Sequence, residues 1–177
     1  MIFFRPLTRV DFPLLQRWLV QPHVDPWWNQ RLDNAGLEAK YGPRIDGLEP
    51  THVFLIELNK RPVGWIQWYL WSDYPEHAEQ LEAEVGTAGI DLAIGEPALV
   101  GLGLGPMVIA TFLRRHIFAE PGISAVVTDI DSRNNRSLRA FCKVGFSITN
   151  SVQLRGEDFV RQTMRLPRLQ FRMEARN

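Results

Sequence analysis

Apolar and polar positions alternate along the chain in a way that predicts both strands and helices. Apolar or β-branched runs bounded by Gly, Pro or Asn predict strands at residues 2–4, 52–58, 63–70, 89–94, 125–130, 146–154 and 158–166. Apolar residues at helical spacing predict helices that start at Thr8 and that cover residues 37–41, 106–117 and 135–144. Residues 21–30 and 72–88 are expected to be loops. The pattern thus predicts a single α/β (mixed α+β) domain over residues 1–177, with an exposed tail at residues 167–177.

Composition limits the classes of function. The 177 residues are 45% hydrophobic and 23% charged, and 20 Lys plus Arg balance 20 Asp plus Glu, so no global field favours nucleic acid. A single cysteine, Cys142, excludes an internal disulfide and fits a reducing compartment. No apolar run approaches the ~20 residues of a membrane span. We expect a cytoplasmic protein, monomer or homodimer, without nucleic-acid or membrane partners.

A glycine-rich loop follows the fourth predicted strand. Gly101, Gly103 and Gly105 alternate with Leu residues, and Pro106, suited to the first helical position, opens an apolar helix. Such a loop at a helix N-terminus presents backbone N–H groups to an anion, which favours pyrophosphate binding. The spacing fits neither the P-loop nor the dinucleotide fingerprint. A glycine-rich turn without a ligand is the alternative.

A second segment, residues 129–146, is predicted to form a strand end, a polar loop and a helix, followed by Gly-Phe. With the glycine loop, this segment resembles the GCN5-related N-acetyltransferase superfamily. Its matching residues are Asn134, Ser137, Phe141, Gly145 and Phe146. Within the superfamily, the chain resembles aminoglycoside 6′-N-acetyltransferases through Gly89-Ile90-Asp91, His23-x-x-x-Trp27-Trp28 and Thr128-Asp129. The resemblance covers residues 4–165.

This resemblance implies a mixed central sheet of about seven strands, flanked by helices and splayed between the strand at 89–94 and the strand at 125–130. It implies acetyl-CoA as co-substrate and no metal. The residues expected to bind the cofactor are Leu92, Ile94, Val100, Gly101, Leu102, Gly103, Leu104, Gly105, Pro106, Asn134 and Phe141.

Two acidic residues are the candidates for catalysis. Asp91 interrupts an apolar strand beside the glycine loop, where burial of a carboxylate is costly unless it has a function. A strand-end carboxylate facing solvent is the alternative. Counting back from Gly-Ile-Asp without gaps places Glu76 where the family has a second functional Asp, and Asp73 is the substitute if the loop contains an insertion.

The segment from Ser72 to Glu84 carries five carboxylates and no Lys or Arg, which suits a small cationic amine substrate. A solvated acidic loop is the alternative. Trp28 is expected to contact the substrate unless it packs in the core. Asp129 is expected to meet a distal amine or to cap its loop. The predicted substrate-binding residues are Trp28, Asp73, Glu76, Asp91 and Asp129.

Three residues bear on the chemistry. Val100 stands where the family usually has Arg or Gln, so backbone amides must bind most of the phosphate. Phe141 replaces the Tyr that often protonates the departing thiolate, which leaves the general acid unassigned. Direct attack needs no nucleophile from the protein, and Cys142 is expected to be buried and inert.

The sequence therefore predicts an N-acetyltransferase that moves an acetyl group from acetyl-CoA to the 6′-amine of an aminoglycoside. One alternative is another amine, such as a hydroxylysine siderophore precursor or a polyamine. The other is a non-catalytic acetyl-CoA-binding module.

Overall fold

The computed structural model describes residues 1–174, with side chains to Phe171. Its strands are β1 (Ile2–Pro6), β2 (His52–Leu58), β3 (Arg61–Leu70), β4 (Thr87–Ile94), β5 (Ala125–Asp131), β6 (Ser147–Val152) and β7 (Arg161–Pro167). Its helices are α1 (Phe12–Leu19), α2 (Asp25–Trp28), α3 (Asn34–Ile45), α4 (Pro75–Gln80), α5 (Leu104–Phe112), α6 (Asn135–Cys142) and α7 (Arg168–Glu174). A π-helical turn, Leu113–Ile117, extends α5.

The strands of the described chain form one mixed sheet in the order β1-β2-β3-β4-β5-β7-β6. The β4–β5 pair is parallel, whereas β1–β2, β2–β3, β5–β7 and β6–β7 are antiparallel. The predicted mixed sheet flanked by helices is thus confirmed. Among the described residues, no helix is both long and apolar enough to cross a membrane.

The chain divides into two compact units, and the boundary between them crosses β3 and β4. The first unit comprises residues 1–68 and 91–104, and the second comprises residues 69–90 and those from 105 onward. The expectation of one domain over residues 1–177 therefore stays a prediction.

The core of the first unit forms around α1. Its apolar positions Phe12, Leu15, Trp18 and Leu19 are buried, as the helical spacing predicts. Trp18 stacks on Trp65 of β3, with ring centroids 6.1 Å apart. Val53, Leu55 and Ala93 join this core from the strands, and Leu37 and Tyr41 join it from α3. The packing fixes β3 and the end of β4 against two helices.

Helix α3 is longer than the predicted residues 37–41. It begins at Asn34 because Asp33 caps it, with Oδ1 accepting a hydrogen bond from Gly36 N at 2.8 Å. Helix α2 also forms inside a segment that was expected to be a loop, and it ends at Asn29 in the left-handed conformation. The Asp33 cap thus accounts for the longer α3, whereas Asn29 accounts only for where α2 ends.

The second unit has its own core, which includes part of the segment expected to be an acidic loop. Within residues 72–88 the chain forms α4, and its Ala78 is buried together with Leu81 against Trp71 and Val127. Trp71 Nε1 donates to the carbonyl oxygen of Val127 at 3.0 Å. The loop prediction is wrong for this stretch because two apolar residues three positions apart anchor one helical turn.

The pairing between β4 and β5 is short. It aligns Thr87 with Ala125 and Ala88 with Val126. At Ile90 the carbonyl oxygen accepts a hydrogen bond from Thr128 Oγ1 at 3.0 Å. A side-chain hydrogen bond thus joins the two strands at this position, and the splay that the resemblance implies stays a prediction.

The expected exposed tail at residues 167–177 is wrong for its described part. Pro167 ends β7, and α7 follows with Phe171 only 8% exposed. The guanidinium of Arg168 donates to three carbonyl oxygens, those of Ile123, Phe118 and Glu120. This helix is anchored by the buried ring of Phe171 and by the hydrogen bonds of Arg168. Residues 175–177 lie outside the described residues.

Candidate active site

The turn that leads into the glycine loop is anchored to α1. An ideal Cβ at Gly95 would lie 2.2 Å from the Trp18 ring, so only glycine fits at this approach. Trp18 Nε1 donates to Glu96 Oε1 at 2.9 Å, and Arg17 pairs with the same carboxylate. Gly95 N donates to the carbonyl oxygen of Val63 at 2.8 Å. These contacts hold the start of the loop against a buried tryptophan.

The glycine loop itself is open. Gly101 and Gly103 have φ of +84° and +80°, and a Cβ at either would meet no atom within 4 Å. Both are exposed, and α5 begins at Leu104. The first four N–H groups of a helix have no intrahelical partner. A left-handed glycine backbone, free space and a helix N-terminus together fit the pyrophosphate of acetyl-CoA.

The sequence predicts Pro106 at the first position of α5, but Pro106 is the third residue of that helix. The reason is that Leu104 and Gly105 already have helical conformation. The missing N–H still costs nothing, because the first four N–H groups need no carbonyl partner within the helix. A Cβ at Gly105 would touch Ala140 Cβ at an ordinary 3.5 Å.

The other cofactor candidates of the first unit differ in exposure. Leu92, Ile94 and Val100 are half-buried, Leu102 is 71% exposed and Leu104 is buried. The carbonyl oxygen of Ile94 lies 2.9 Å from His23 Nε2. Because its side chain is buried, Leu104 can offer a ligand its backbone rather than its side chain.

Two cofactor candidates of the second unit have structural partners. Asn134 caps α6, with Oδ1 accepting from Ser137 N at 3.1 Å. Phe141 is 2% exposed and meets Phe146 edge-on at 5.0 Å. The small exposed surface of Phe141 leaves little area for a contact with the cofactor. The expected cofactor contacts of Asn134 and Phe141 stay predictions.

Asp91 is half-buried in β4 and accepts a hydrogen bond from a neighbouring strand. The donor is Gln67 Nε2 of β3, 2.9 Å from Asp91 Oδ2. The carboxylate belongs to the same strand as Leu92 and Ile94, a few residues before the glycine loop. The first unit thus brings together the predicted catalytic carboxylate and most of the predicted cofactor residues.

Gln67 is itself held by the cation of a partly buried ion pair. Its Oε1 accepts from Arg44 Nη1 at 3.1 Å, and Arg44 Nε donates to Glu49 Oε2 at 3.0 Å. The Gln67 residue is 8% exposed and the Arg44 side chain is 16% exposed. A chain of hydrogen bonds therefore runs from Glu49 through Arg44 and Gln67 to Asp91.

A second cation of α3 lies in the same electrostatic environment. Burial and, to a smaller extent, the charge of Arg44 lower the pKa of Lys40 to about 8, against the opposing influence of Asp91 and Glu49. Lys40 Nζ donates to Gln30 Oε1 at 2.6 Å. Burial raises the pKa of the intervening phenol, Tyr41, to about 12, so this side chain stays neutral.

Gln67, Arg44 and Lys40 were missed by the sequence analysis. Gln67 had a signal, because it is the one polar residue in the apolar run from Val63 to Leu70. The two cations had none, since they lie on a weakly patterned helix whose contacts with β3 depend on tertiary packing.

Trp28 packs on the core of the first unit. It is partly buried, and its ring centroid lies 4.8 Å from that of Trp65 at a 54° tilt. The neighbouring Trp27 is 39% exposed. The two tryptophans thus point into different environments, and the predicted substrate contact of Trp28 stays a prediction.

The acidic residues before β4 are exposed. Asp73 lies in a short 3-10 turn and Glu76 in the first turn of α4, and both are exposed. Glu84 forms an ion pair with Arg165 at 2.9 Å. The carboxylates of this segment therefore form an exposed negative surface, in which Glu84 is paired with Arg165.

Asp129 is paired rather than free. Its side chain is 7% exposed, and Oδ2 lies 3.1 Å from Arg161 Nη1 and 3.7 Å from His77 Nε2. Arg161 also pairs with Glu157, and that hydrogen bond raises the pKa of the guanidinium. A distal amine would have to compete with Arg161 for this carboxylate, and the predicted contact stays a prediction.

Two further observations complete the chemistry. Cys142 is exposed, so its expected burial is wrong; it is the last residue of α6, on the solvent side of that helix. Within the described part of the chain, no three His, Cys, Asp or Glu side chains are grouped so that they could hold a metal ion.

Comparison with known proteins agrees with this geometry. A family model described as an acetyltransferase (GNAT) domain matches residues 8–154. An aminoglycoside N(6′)-acetyltransferase type 1 from Klebsiella pneumoniae is 26% identical over 154 residues, 85% of this chain and 76% of that protein. The lysine N-acyltransferase MbtK of Mycolicibacterium paratuberculosis is 27% identical over 139 residues, 73% of this chain and 58% of that protein.

Among solved structures, aminoglycoside acetyltransferase AAC(6′)-Ib in complex with coenzyme A and kanamycin has a TM-score of 0.86 to this chain at 25% identity, covering 99% of both chains. The superfamily resemblance seen in the glycine loop and in residues 129–146 is confirmed. Because the family model spans residues 8–154 of the 177, the chain belongs to the acetyltransferase (GNAT) family.

Proposed function

We propose that this chain transfers the acetyl group of acetyl-CoA to the 6′-amine of an aminoglycoside. The observation that carries the proposal is Asp91, a half-buried carboxylate hydrogen-bonded by Gln67 on the strand that leads into an open glycine loop. Relatives named as aminoglycoside N(6′)-acetyltransferases, and one solved with coenzyme A and kanamycin, support the substrates.

The glycine loop is the proposed site of the cofactor's pyrophosphate. Gly101 and Gly103 expose backbone on an unobstructed surface, and the N-terminus of α5 adds positive potential. Val100 offers no side-chain charge, so the backbone amides supply the affinity. Acetyl-CoA brings an activated acetyl thioester, and the protein places the acceptor amine beside it.

Asp91 is the proposed base. The acceptor arrives as an ammonium, which the carboxylate attracts and from which it accepts a proton, directly or through one water. The neutral nitrogen then attacks the thioester carbonyl; a C–N bond forms and the C–S bond breaks, the nitrogen releases its second proton to water, and the thiolate takes a proton from solvent. Phe141 has no O–H to donate, but a thiol leaves readily near neutral pH. Glu76 is the proposed alternative base.

The surface charge of the second unit favours a polycation. The exposed Asp73 and Glu76, together with Glu79 and Glu82, raise the local concentration of a cationic acceptor. This effect weakens as salt screens the charges. A rise in the KM for the acceptor with ionic strength, without a matching change for acetyl-CoA, is therefore expected.

A lysine-type acceptor is the second candidate. Lys40 and Arg44 place positive charge in the electrostatic environment of Asp91, and a cation suits an acceptor that carries a carboxylate. A relative named as a lysine N-acyltransferase supports this candidate.

The test is a screen of acetyl-CoA-dependent thiol release across aminoglycosides, polyamines and N6-hydroxylysine, with product mass and NMR to locate the acetyl group. The proposal expects the highest kcat/KM for an aminoglycoside with a free 6′-amine and little turnover for the matched 6′-hydroxyl compound. Preferred turnover of N6-hydroxylysine would replace it with the second candidate. Acetyl-CoA binding without turnover of any amine would indicate a binding module.

A further inference from the structure

The amide of Gln67 is engaged at both ends. Nε2 donates to Asp91 Oδ2 at 2.9 Å, and Oε1 accepts from Arg44 Nη1 at 3.1 Å. A side-chain amide can turn by 180°, and that turn exchanges its donor and acceptor ends. In the turned orientation a carbonyl oxygen would face the carboxylate, and two acceptors would repel each other. Arg44, which binds the other end of the amide, therefore determines whether Asp91 faces a hydrogen-bond donor or an acceptor.

Arg44 can hold only one of those two orientations. A guanidinium has donors and no acceptor, so it binds the carbonyl end of the amide and rejects the NH₂ end. Arg44 is itself fixed by Glu49, through Nε at 3.0 Å, and by the face of the Tyr41 ring at 5.6 Å. Its side chain is 16% exposed and Gln67 is 8% exposed, so water competes weakly for the hydrogen bond between them.

We propose that Arg44 is a positioning residue for acetyl transfer. By holding the carbonyl of Gln67, it directs the amide N–H to Asp91, which favours the ionised carboxylate and fixes its direction. The kinetic consequence rests on the proposed function, because it requires Asp91 to receive the ammonium of the acceptor. The orientation of the amide does not rest on it.

The orientation is tested first, without any acceptor. In ¹⁵N-labelled protein, the Gln67 side-chain amide signals are assigned by their loss in Gln67→Met. Arg44→Met and Asp91→Asn should each shift those signals, because each removes one of the two partners. Arg9→Met is the matched control: Arg9 pairs with two carboxylates of the same helical segment, Glu38 and Asp46, and should leave the signals unchanged. Unchanged Gln67 signals in folded Arg44→Met would overturn the inference.

The kinetic consequence is tested by a double-mutant cycle. Arg44→Met and Gln67→Met should each lower kcat by about 10- to 100-fold, the range for loss of a hydrogen bond to a charged group. The KM for acetyl-CoA should change less than about twofold, and the acid limb of the pH–rate profile should move to higher pH. Arg44→Lys, which keeps a cationic donor, should recover part of kcat.

The double variant separates positioning from a general structural role. If Arg44 acts through Gln67, then Arg44→Met in the Gln67→Met background should cause less than about a twofold further loss. Multiplying losses, or an unchanged kcat in Arg44→Met, would contradict the proposal. If the unmodified protein acetylates no aminoglycoside, the proposed function fails, while the amide signals still decide whether Arg44 orients Gln67.

Discussion

At the scale of single residues, Gly103 and Gly156 form a matched pair. Their φ values are +80° and +86°, and a Cβ at either would meet no atom within 4 Å. Gly103→Ala and Gly156→Ala should therefore both lose about 1–2 kcal/mol of stability from backbone strain. Only Gly103→Ala should weaken acetyl-CoA binding, because its methyl group enters the proposed pyrophosphate site. Calorimetric titration and urea unfolding of both variants measure this, and equal cofactor affinities would remove the site from this loop.

Asp91→Asn keeps the size of the side chain and removes its charge and basicity. Loss of a general base typically costs about 100- to 10,000-fold, so kcat on the true acceptor should fall by that order. Acetyl-CoA binding should remain nearly unchanged, because the proposed cradle is backbone. Steady-state kinetics with Asp158→Asn, an exposed carboxylate, as the control checks this. A near-normal kcat would transfer the role to Glu76 or Asp73.

Lys40 should leave a pH signature on stability. Its pKa is about 8 in the folded chain against an ordinary 10.5, so the unfolded chain binds more protons between these values. The folded state therefore gains stability relative to Lys40→Met as pH rises from about 8 to 10.5, and the difference is constant below about 8. Urea unfolding across this range measures it, with Lys143→Gln as an exposed control. A pH-independent difference would mean that Lys40 is not desolvated.

Single residues were predictable where their chemistry conflicts with their local pattern. Asp91 is such a case, since a carboxylate in an apolar strand is costly to bury without a partner. Gln67 shows a weaker form of the same conflict, because an amide carries no charge. Arg44 and Lys40 lie on an ordinary polar helix face, and their role depends on which strand α3 packs against. No local pattern contains that information.

At the scale of elements, strongly periodic segments were predicted and short capped ones were not. The strands have clear apolar spacing and formed close to where expected; α1 has it too, but it begins at Phe12, because the residues after Thr8 form a 3-10 turn, Arg9–Asp11. Helices α2 and α4 have four and six residues, too few to show a helical period. The sequence predicts an exposed tail in place of α7, because Pro167 and three arginines suggest exposure. In the structure Phe171 of this helix is buried. Tertiary anchoring decides such elements.

The turn after β4 should tolerate no side chain. A Cβ at Gly95 would lie 2.2 Å from the ring of Trp18, which is fully buried. Gly95→Ala must displace either the indole or the turn, and overpacking of this kind costs about 1–3 kcal/mol. Gly122→Ala is the control, because its Cβ would meet nothing within 4 Å. Thermal unfolding compares the two, and a stable Gly95→Ala would show that this turn can move away from α1.

At the scale of the whole molecule, the two units divide the predicted site residues. Trp28, Asp91 and residues 100–104 belong to the first unit, whereas Asp73, Glu76 and Asp129 belong to the second. The family was predictable because its two motifs are continuous in sequence. The pairing of Asp129 with Arg161 was not, because these residues are far apart along the chain and meet only through adjacent strands.

Acetyl-CoA should stabilise the folded chain as a whole. A ligand at about 100 times its Kd adds about 2.7 kcal/mol when it binds only the folded state. For a chain of this length, each kcal/mol raises Tm by about 2–4 °C. Differential scanning calorimetry with increasing acetyl-CoA measures the shift, and Gly103→Ala should require more ligand for the same effect. A Tm that ignores acetyl-CoA would contradict cofactor binding.

The exposed sulfur of Cys142 makes the chain a singly addressable reagent. It is the sole cysteine and lies at the end of α6, so a maleimide dye should attach at one defined position. The same thiol adds one equivalent per chain to any disulfide-exchange readout of liberated coenzyme A. Oxidation of this thiol in air also permits a disulfide-linked dimer, which a reducing agent dissociates. Cys142→Ser should abolish all three behaviours, which separates an oxidation product from a native dimer.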